Sequence, residues 1–507
     1  MSTSFYEVVV VGASVEALLC ATLLSKRGFR VLLVGQGNHA PYYRVGPYTF
    51  PRVPMDDSAC DSPIAHRILE ELALQPLFRR ASRPVSPGLQ LATPHHRFDI
   101  ENEIERVEAE IDREFGRLRR PILDVHLRAL QLSKAFDDLL DESFPWPPQG
   151  LWERYLFRRL LRRAPFDRLG MAGALASELP RHHPFALALK LPFFFGANAA
   201  TTLPSDLGLA RHYAQRVQRA WTPQTSLSWL HDTLLERLLA QGSEWRPKEK
   251  ITKILSHGPR VRGIVLEHAG DEIGCNHIVY GASTESLEAI LRASAIDGAE
   301  LEDRRVERRR YLLNLGVAAE ALPQALAVET YAIEDAASAF SPLGAMRLRT
   351  YPGPEDSLRV LSLEVSVAGR EDEHSPLWSE MRERLLARLP SIVPFVETQL
   401  KVIDSPHDGL APSSPAPEQN LELSDPWNRG IAFAPRIYAD AGENLLGIAS
   451  HRPTMPLRSL HLCNPQIFAG MGAEGSFLTA WACARQITRA DRSRETLRRG
   501  RWMNASA

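Results

Sequence analysis

The run Glu7-Val8-Val9-Val10-Val11-Gly12-Ala13-Ser14-Val15-Glu16-Ala17 constrains this chain more than any other stretch. Four consecutive valines are apolar on both faces of an extended segment, and a strand buried on both sides tolerates that pattern. Gly12 interrupts the run. Leu18, Leu19, Ala21, Thr22, Leu23 and Leu24 then read as a helix facing a sheet, Gly28 ends it, and Val31 to Val34 resume as strand. Residues 5–34 therefore read as a β-α-β unit, with the first N–H groups of the helix free to meet an anion.

The spacing of this unit invites comparison with the dinucleotide fingerprint G-x-G-x-x-G, which needs one glycine for the turn, one for the pyrophosphate and one for close helix packing. The three positions here are Gly12, Ser14 and Ala17. Alanine at the third is a usual variant. Serine at the second adds a side chain where phosphate would pass, though its hydroxyl can itself bind phosphate. The acid that holds a ribose falls on Gly35; Gln36 and Asn38 are the neighbours that could replace it, without the charge-assisted part of the bond, about 1 kcal/mol. The Arg that would favour a 2′-phosphate is absent from Gln36-Gly37-Asn38. A β-α-β unit without ligand is the plain alternative for this segment.

At 507 residues, two or three domains are expected. Lys plus Arg (60) balances Asp plus Glu (61), so no overall field favours nucleic acid. The five cysteines, Cys20, Cys60, Cys275, Cys463 and Cys483, show no C-x-x-C spacing, which argues for a reducing compartment and against a zinc site or disulfide framework. No signal-peptide pattern opens the sequence, and no apolar run approaches the ~20 residues of a membrane span. A cytoplasmic protein is expected, with contact to the inner face of the membrane left open.

Beyond residue 60 the pattern becomes helical through 224. Ile104, Val107, Ile111, Phe115 and Leu118, then Ile122, Val125, Ala129, Leu132, Phe136 and Leu139, predict a helical hairpin with a coiled-coil-like seam. Residues 153–169 carry Arg154, Arg158, Arg159, Arg162, Arg163 and Arg168 around Leu and Phe. They suit a solvated face or an interfacial helix. The apolar stretch Phe185–Phe195 suits core or the lining of a lipophilic tunnel. Leu227 to Leu239 predict a helix, and Ile251–Leu255, Val261–Leu266 and Ile273–Tyr280 three strands, before a helix capped by Ser283. Tyr311–Ala318, Ala325–Ile333, Ala345–Arg349 and Leu358–Val367 alternate as a second sheet, followed by a helix at 376–389.

Taken in order, four stretches resemble the flavin-dependent amine oxidase and phytoene desaturase superfamily: residues 7–34; Tyr43-Arg44-Val45-Gly46-Pro47-Tyr48-Thr49-Phe50; the helix and strands from Leu234 to Leu266; and Ser459 to Arg485 with Gly470, Gly472 and Gly475. The resemblance implies an α/β fold. A discontinuous Rossmann-like FAD-binding domain with a parallel sheet and β-meander would be built from 1–60, 225–300 and 431–490. An α+β substrate domain with a helical insertion would come from 61–224 and 301–430, leaving 491–507 as a tail. It implies FAD held by Gly12, Ala13, Ser14, Ala17, Gly35, Gln36, Arg44, Ile251, Asn464, Gly472, Ala473, Glu474 and Gly475, with the Ile251 backbone against the adenine and the helix after Gly472 aimed at the flavin's pyrimidine carbonyl. Glu474 beside that carbonyl would disfavour an anionic reduced flavin. Asn464-Pro465 stands where the family has Gly-Asp or Gly-Ala.

The expected function is hydride transfer to flavin from a C–C or C–N bond of an apolar or amine substrate, with peripheral membrane contact through 153–169 and 185–195. The alternative is a cofactor-degenerate relative that binds a lipid, a prenyl group or a protein, as the Rab GDP-dissociation inhibitors do. The resemblance carries over no catalytic side chain. No metal is expected: the doublets His95-His96 and His182-His183 lack further convergent ligands. Cys463, at a strand end near the expected flavin, is the cysteine to watch.

Overall fold

The valine strand takes the buried central place its pattern requires. In the computed structural model, Phe5–Val11 lies inside a seven-stranded sheet, and Val8, Val9, Val10 and Val11 are fully buried. The structure describes residues 4–491 except 142–147, 149–150, 162–173, 176, 178, 202–203, 269, 298–304, 370–376, 416–420, 422–428, 440–445, 450–454 and 456. Arg162, Arg163, Arg168 and the tail beyond 491 lie outside the described residues.

Around the valine strand, Val31–Val34 pairs in parallel on one side and Glu272–Tyr280 on the other. Glu244–Arg246 extends the sheet beyond Val31–Val34, and Leu460–Leu462 pairs in parallel with Glu272–Tyr280. Arg260–Leu266 and Ile251–His257 complete an antiparallel meander on Glu272–Tyr280. Helices Val15–Lys26, Trp229–Ala240 and Gly472–Ala490 contribute to the same core, in which Leu18, Leu23, Leu234, Phe477 and Ile487 are buried. Thus the sheet draws its strands from both ends of the chain and from the middle.

The second sheet has nine strands, ordered Arg97–Ile100, Leu89–Ala92, Glu329–Ile333, Ala345–Pro352, Leu358–Ala368, Val306–Ala318, Arg436–Ala439 and Ala199–Ala200, with Leu400–Asp404 also paired to Val306–Ala318. One face is apolar: Leu313, Leu348, Leu363 and Val365 pack with Trp378, Met381 and Leu385 of helix Leu377–Arg388. Residues 61–224 are less uniformly helical than their periodicity predicts, since Leu89–Ala92 and Arg97–Ile100 join this sheet and Ser82–Pro84 pairs with Trp221–Pro223. Those strands are three or four residues long, too short for alternation to register.

The helical hairpin forms as Ile104–Phe115 and Arg119–Asp141, burying Val107, Ile111, Ile122, Val125, Ala129 and Phe136. Helix Pro184–Gly196 is core, with Leu187, Ala188, Leu189 and Leu191 fully buried. This corrects the membrane role expected for 185–195, because no apolar face of it is left for lipid. Helix Leu151–Leu161 differs: Leu151, Trp152 and Tyr155 are exposed beside Arg154, Arg158 and Arg159, with Trp152 and Tyr155 stacked at 5.5 Å. Among the described residues no helix is long and apolar enough to cross a membrane.

Candidate nucleotide site

Gly12 ends the central strand with φ +96°, a conformation that favours glycine. A Cβ there would lie 2.9 Å from the Ala282 nitrogen and 3.0 Å from Asn38 Nδ2. Helix Val15–Lys26 starts after Ser14, whose hydroxyl donates to the Gly281 carbonyl at 3.3 Å. Gly281 carries no signal in the sequence, yet its missing side chain is what lets Ala17 close on the turn, with a virtual Cβ only 2.6 Å from Ala17 Cβ. Ala13 is buried, while solvent partly reaches Ser14 and Val15.

Glu16 is the residue that the motif did not flag. It lies in the first turn of this helix and is 2% exposed. Burial raises its carboxyl above the usual range, and the hydroxyls of Ser14 and Ser476 only partly offset that. Ser476 belongs to the second turn of helix Gly472–Ala490, so the carboxyl is held between the N-terminal ends of two helices. Glu16 Oε1 has no hydrogen-bond partner among the described residues.

At the end of the second strand there is no room for the ribose-binding acid. Gly35 donates its N–H to the Arg246 carbonyl at 3.0 Å, and a Cβ on it would fall 1.9 Å from the Pro247 carbonyl oxygen. Glycine here is a packing requirement, and an acid cannot enter without moving that backbone. Gly35→Asp is expected to destabilise the protein by about 1–3 kcal/mol, as overpacking does, and to gain no nucleotide binding. A denaturation midpoint equal to the parent's would show that Pro247 yields freely.

Gln36 does not turn toward a ribose, as its neighbourhood to the acid position suggested. Ile251 N–H donates to Gln36 Oε1 at 2.7 Å, and Gln36 Nε2 donates to the Ile251 carbonyl at 3.3 Å. The backbone groups that the resemblance reserves for adenine are therefore bonded within the chain. Arg44 is exposed on the hairpin Tyr42–Val45/Tyr48–Pro51. Asn464 is buried, and its Oδ1 accepts from Gln466 N–H at 3.1 Å.

The closing segment is occupied in front as well. Gly472 has φ +56°, and a Cβ on it would stand 2.3 Å from the Gly196 carbonyl oxygen and 3.0 Å from His212 Cε1. His212 Nε2 bonds the Gly470 carbonyl at 2.9 Å, and Asn198 N–H donates to the Ala469 carbonyl at 2.7 Å. Burial holds His212 down to about 4, so at neutral pH it is the neutral tautomer donating from Nε2. Ala473 is exposed and Gly475 packs on the Phe468 carbonyl.

Glu474 corrects the expectation that it faces a flavin carbonyl. It is fully buried and receives Arg211 Nε at 2.7 Å and Nη2 at 2.5 Å, with Gln215 Nε2 at 2.8 Å. Arg211, on helix Asp206–Gln218, also reaches Asp137 at 2.7 Å and the Ser133 carbonyl at 3.1 Å. A forked guanidinium between two carboxylates balances one of their two charges, and Arg219, also paired with Asp137, balances the other. One turn and a half further, Arg216 of the same helix leaves in the other direction, to Asp56 and to Glu329 at 3.2 Å.

That second contact opens onto the other face of the nine-stranded sheet. Glu329, Tyr331, Arg347, Arg349, Ser362, Glu364, Ser366, Arg310 and Asn314 share it, and all are buried. Arg347 is paired with Glu364, and Arg349 Nε is 3.2 Å from Glu329. Four guanidiniums (Arg216, Arg310, Arg347, Arg349) meet three carboxylates (Asp56, Glu329, Glu364). Burial lowers Arg310 to about 10, and its Nη2 donates to the Ala197 carbonyl at 2.6 Å. This face of the second sheet thus carries a buried ion network.

Cys463 meets two other thiols. The sulfurs of Cys20, Cys463 and Cys483 lie within 4.8 Å of one another and are all buried. Hydrogen bonding with Cys20 and then Cys483, followed by burial, keeps the Cys463 thiol well above its usual value, hence protonated and unreactive. His96 bonds Glu114 and His183 caps helix Pro184–Gly196, so these doublet members have local structural partners.

No family model matches the chain, and no curated protein sequence matches it. Solved structures do. A redesigned putrescine oxidase aligns with a TM-score of 0.57 at 12% identity, over 96% of this chain and 100% of its own. Cyclohexylamine oxidase from Brevibacterium oxydans IH-35A aligns with 0.54 at 14%, over 96% and 99%. An oxidoreductase from Methanosarcina mazei aligns with 0.53 at 12%, over 94% and 100%. The chain has the fold of the flavin-dependent amine oxidases along nearly its whole length. FAD, which that fold implies, would meet four departures in this chain: the Ile251 backbone is bonded to Gln36, Pro247 leaves no room for an acid at position 35, the Glu16 carboxyl lies between two helix ends, and Gly196 and His212 pack on Gly472.

Proposed function

We propose that this chain is a non-redox binding protein on the amine-oxidase fold. The observation that carries the reading is the seam before helix Gly472–Ala490, where Gly196, Asn198 and His212 pack and bond onto Ala469, Gly470 and Gly472. A flavin ring drawn up to that helix would require helix Pro184–Gly196 to withdraw, and with it a set of fully buried leucines and phenylalanines. Removing even one such side chain from a core costs about 2–5 kcal/mol. Opening the seam for a flavin would therefore cost packing of this kind.

The partner we assign is an anionic lipid surface met through helix Leu151–Leu161. Exposed aromatic and leucine side chains with guanidiniums around them are the chemistry of an interfacial helix. The test is a visible spectrum of the desalted protein with and without added FAD, followed by sedimentation with phosphatidylserine vesicles. We expect no flavin band, and vesicle binding that weakens when Trp152 and Tyr155 become serine. A flavin envelope retained at one equivalent sinks the non-redox reading; equal sedimentation of parent and variant sinks the lipid contact.

A flavin-dependent oxidoreductase acting on a C–C or C–N bond of an apolar or amine substrate is the second reading. It is supported by the intact turn at Gly12 and by the solvent access of Ser14, Val15 and Ala473 at the N-terminal ends of the two helices.

A further inference from the structure

We infer that the chain supplies its own substitutes for the ADP half of the missing dinucleotide: the Gln36 carboxamide stands in for the hydrogen-bonding edge of adenine, and the Glu16 carboxyl for the diphosphate. This rests on the non-redox reading above and extends it to what holds these segments together.

A planar carboxamide offers one acceptor and one donor on neighbouring atoms, as the N1 and N6 edge of adenine does. Gln36 presents both to one residue, taking the Ile251 N–H at 2.7 Å and giving to the Ile251 carbonyl at 3.3 Å across 215 positions of sequence. Placing it there requires φ +54° at a non-glycine residue, an uncommon backbone state that persists when its surroundings over-determine it. Those surroundings are visible: Gly35 N–H and Gln36 N–H donate to the carbonyls of Arg246 and Glu249 at 3.0 and 2.9 Å, so 35–38 is fastened along 246–251. The Asn38 amide covers Gly12.

Glu16 completes the track. Helix N-termini draw negative charge, and two of them converge on this carboxyl through Ser14 and Ser476. No cation is among the groups that act on it. An internal acid at a helix end with hydroxyl partners and one oxygen unbonded offers oxygens in the setting of a phosphate, delivered by the chain itself.

The test uses full-length protein, with ADP and FAD as titrants, in the parent, Gln36→Ala, Glu16→Ser and the double variant. The readouts are calorimetric binding, melting temperature and hydrogen exchange at the Ile251 amide. We expect no binding to the parent. In Gln36→Ala the Ile251 amide should exchange at least about tenfold faster, because its hydrogen bond is gone. ADP should bind the double variant, raise its melting temperature and slow that exchange again. If the double variant fails to fold, the single variants answer the same question, Glu16→Ser by ADP binding and Gln36→Ala by exchange at the Ile251 amide. Unchanged exchange in Gln36→Ala, or loss of stability with no rescue by ADP, overturns the substitution while leaving the non-redox reading standing. FAD binding to the parent overturns that reading itself.

Discussion

Arg211→Met is expected to cost about 3–5 kcal/mol of unfolding free energy, because it strands a carboxylate in a dry interior. Glu474 is fully buried and Arg211 is 1% exposed. The guanidinium bonds both Glu474 oxygens and Asp137, so its removal leaves two acids facing each other with only Gln215, Arg219 and local dipoles for relief. Arg211→Met with Glu474→Met removes the need rather than the answer and should recover most of the loss, since well-packed apolar pairs replace buried ion pairs at little cost. Urea denaturation of the parent, both single variants and the double variant gives the coupling directly. A loss below about 1 kcal/mol for Arg211→Met would mean that water reaches Glu474.

Acidification is expected to unfold the protein between about pH 6.5 and 4. Burial holds His126, His212 and His277 at about 4 and His407 at about 3. These groups stay neutral in the fold, whereas in the unfolded chain they take protons near pH 6.5. As pH falls through that window the unfolded state binds the extra protons, so stability present above about 6.5 is lost. Each unit of separation is worth about 1.4 kcal/mol, or roughly 3 kcal/mol for a fully buried histidine. Asp57 works the other way: burial raises it to about 6, so the folded state takes that proton first. Burial raises Glu16, Asp99 and Asp404 as well, on the side of Asp57; the four deeply depressed histidines outweigh them, and the net slope runs toward unfolding in acid. Melting temperatures taken stepwise from neutral pH down to about 4.5 check this; a flat profile would show that the imidazoles are wetter than their packing indicates.

Much of the architecture was legible in the sequence where one periodicity had one physical meaning. The four valines had to be a two-sided buried strand, and the seams at 104–115 and 119–141 had to face each other. The buried charge network was not legible for the opposite reason. Arg347 and Arg349, or Ser362, Glu364 and Ser366, alternate with apolar residues in the way a solvent-facing strand does. Only the third layer, Arg216 and Asp56, reveals that this polar face is interior. In the candidate site, the altered positions Ser14, Gly35 and Glu474 could be read from spacing, but the groups answering them could not. Pro247, Ile251, Gly196 and Arg211 lie more than a hundred residues from the positions they close, and local pattern carries no information about such pairs. Glu16 did leave a local signal, a charged side chain inside a turn built for small residues.

The weaving of the first sheet sets an order in time. A ribosome that has delivered residues 1–243 has made the valine strand and its partner Val31–Val34, yet Glu244–Arg246 is still missing, as is Glu272–Tyr280 on the far side. Leu460–Leu462 and the helix that packs on Val15–Lys26 arrive only after about two hundred further residues. Until Glu272–Tyr280 is made, the strand of four valines waits with one hydrogen-bonding edge open for a neighbour that does not yet exist. Pairings of such long reach form slowly and leave partly made sheets prone to aggregation. This protein is therefore expected to depend on a holding chaperone while it is being made, and to refold poorly from denaturant in isolation.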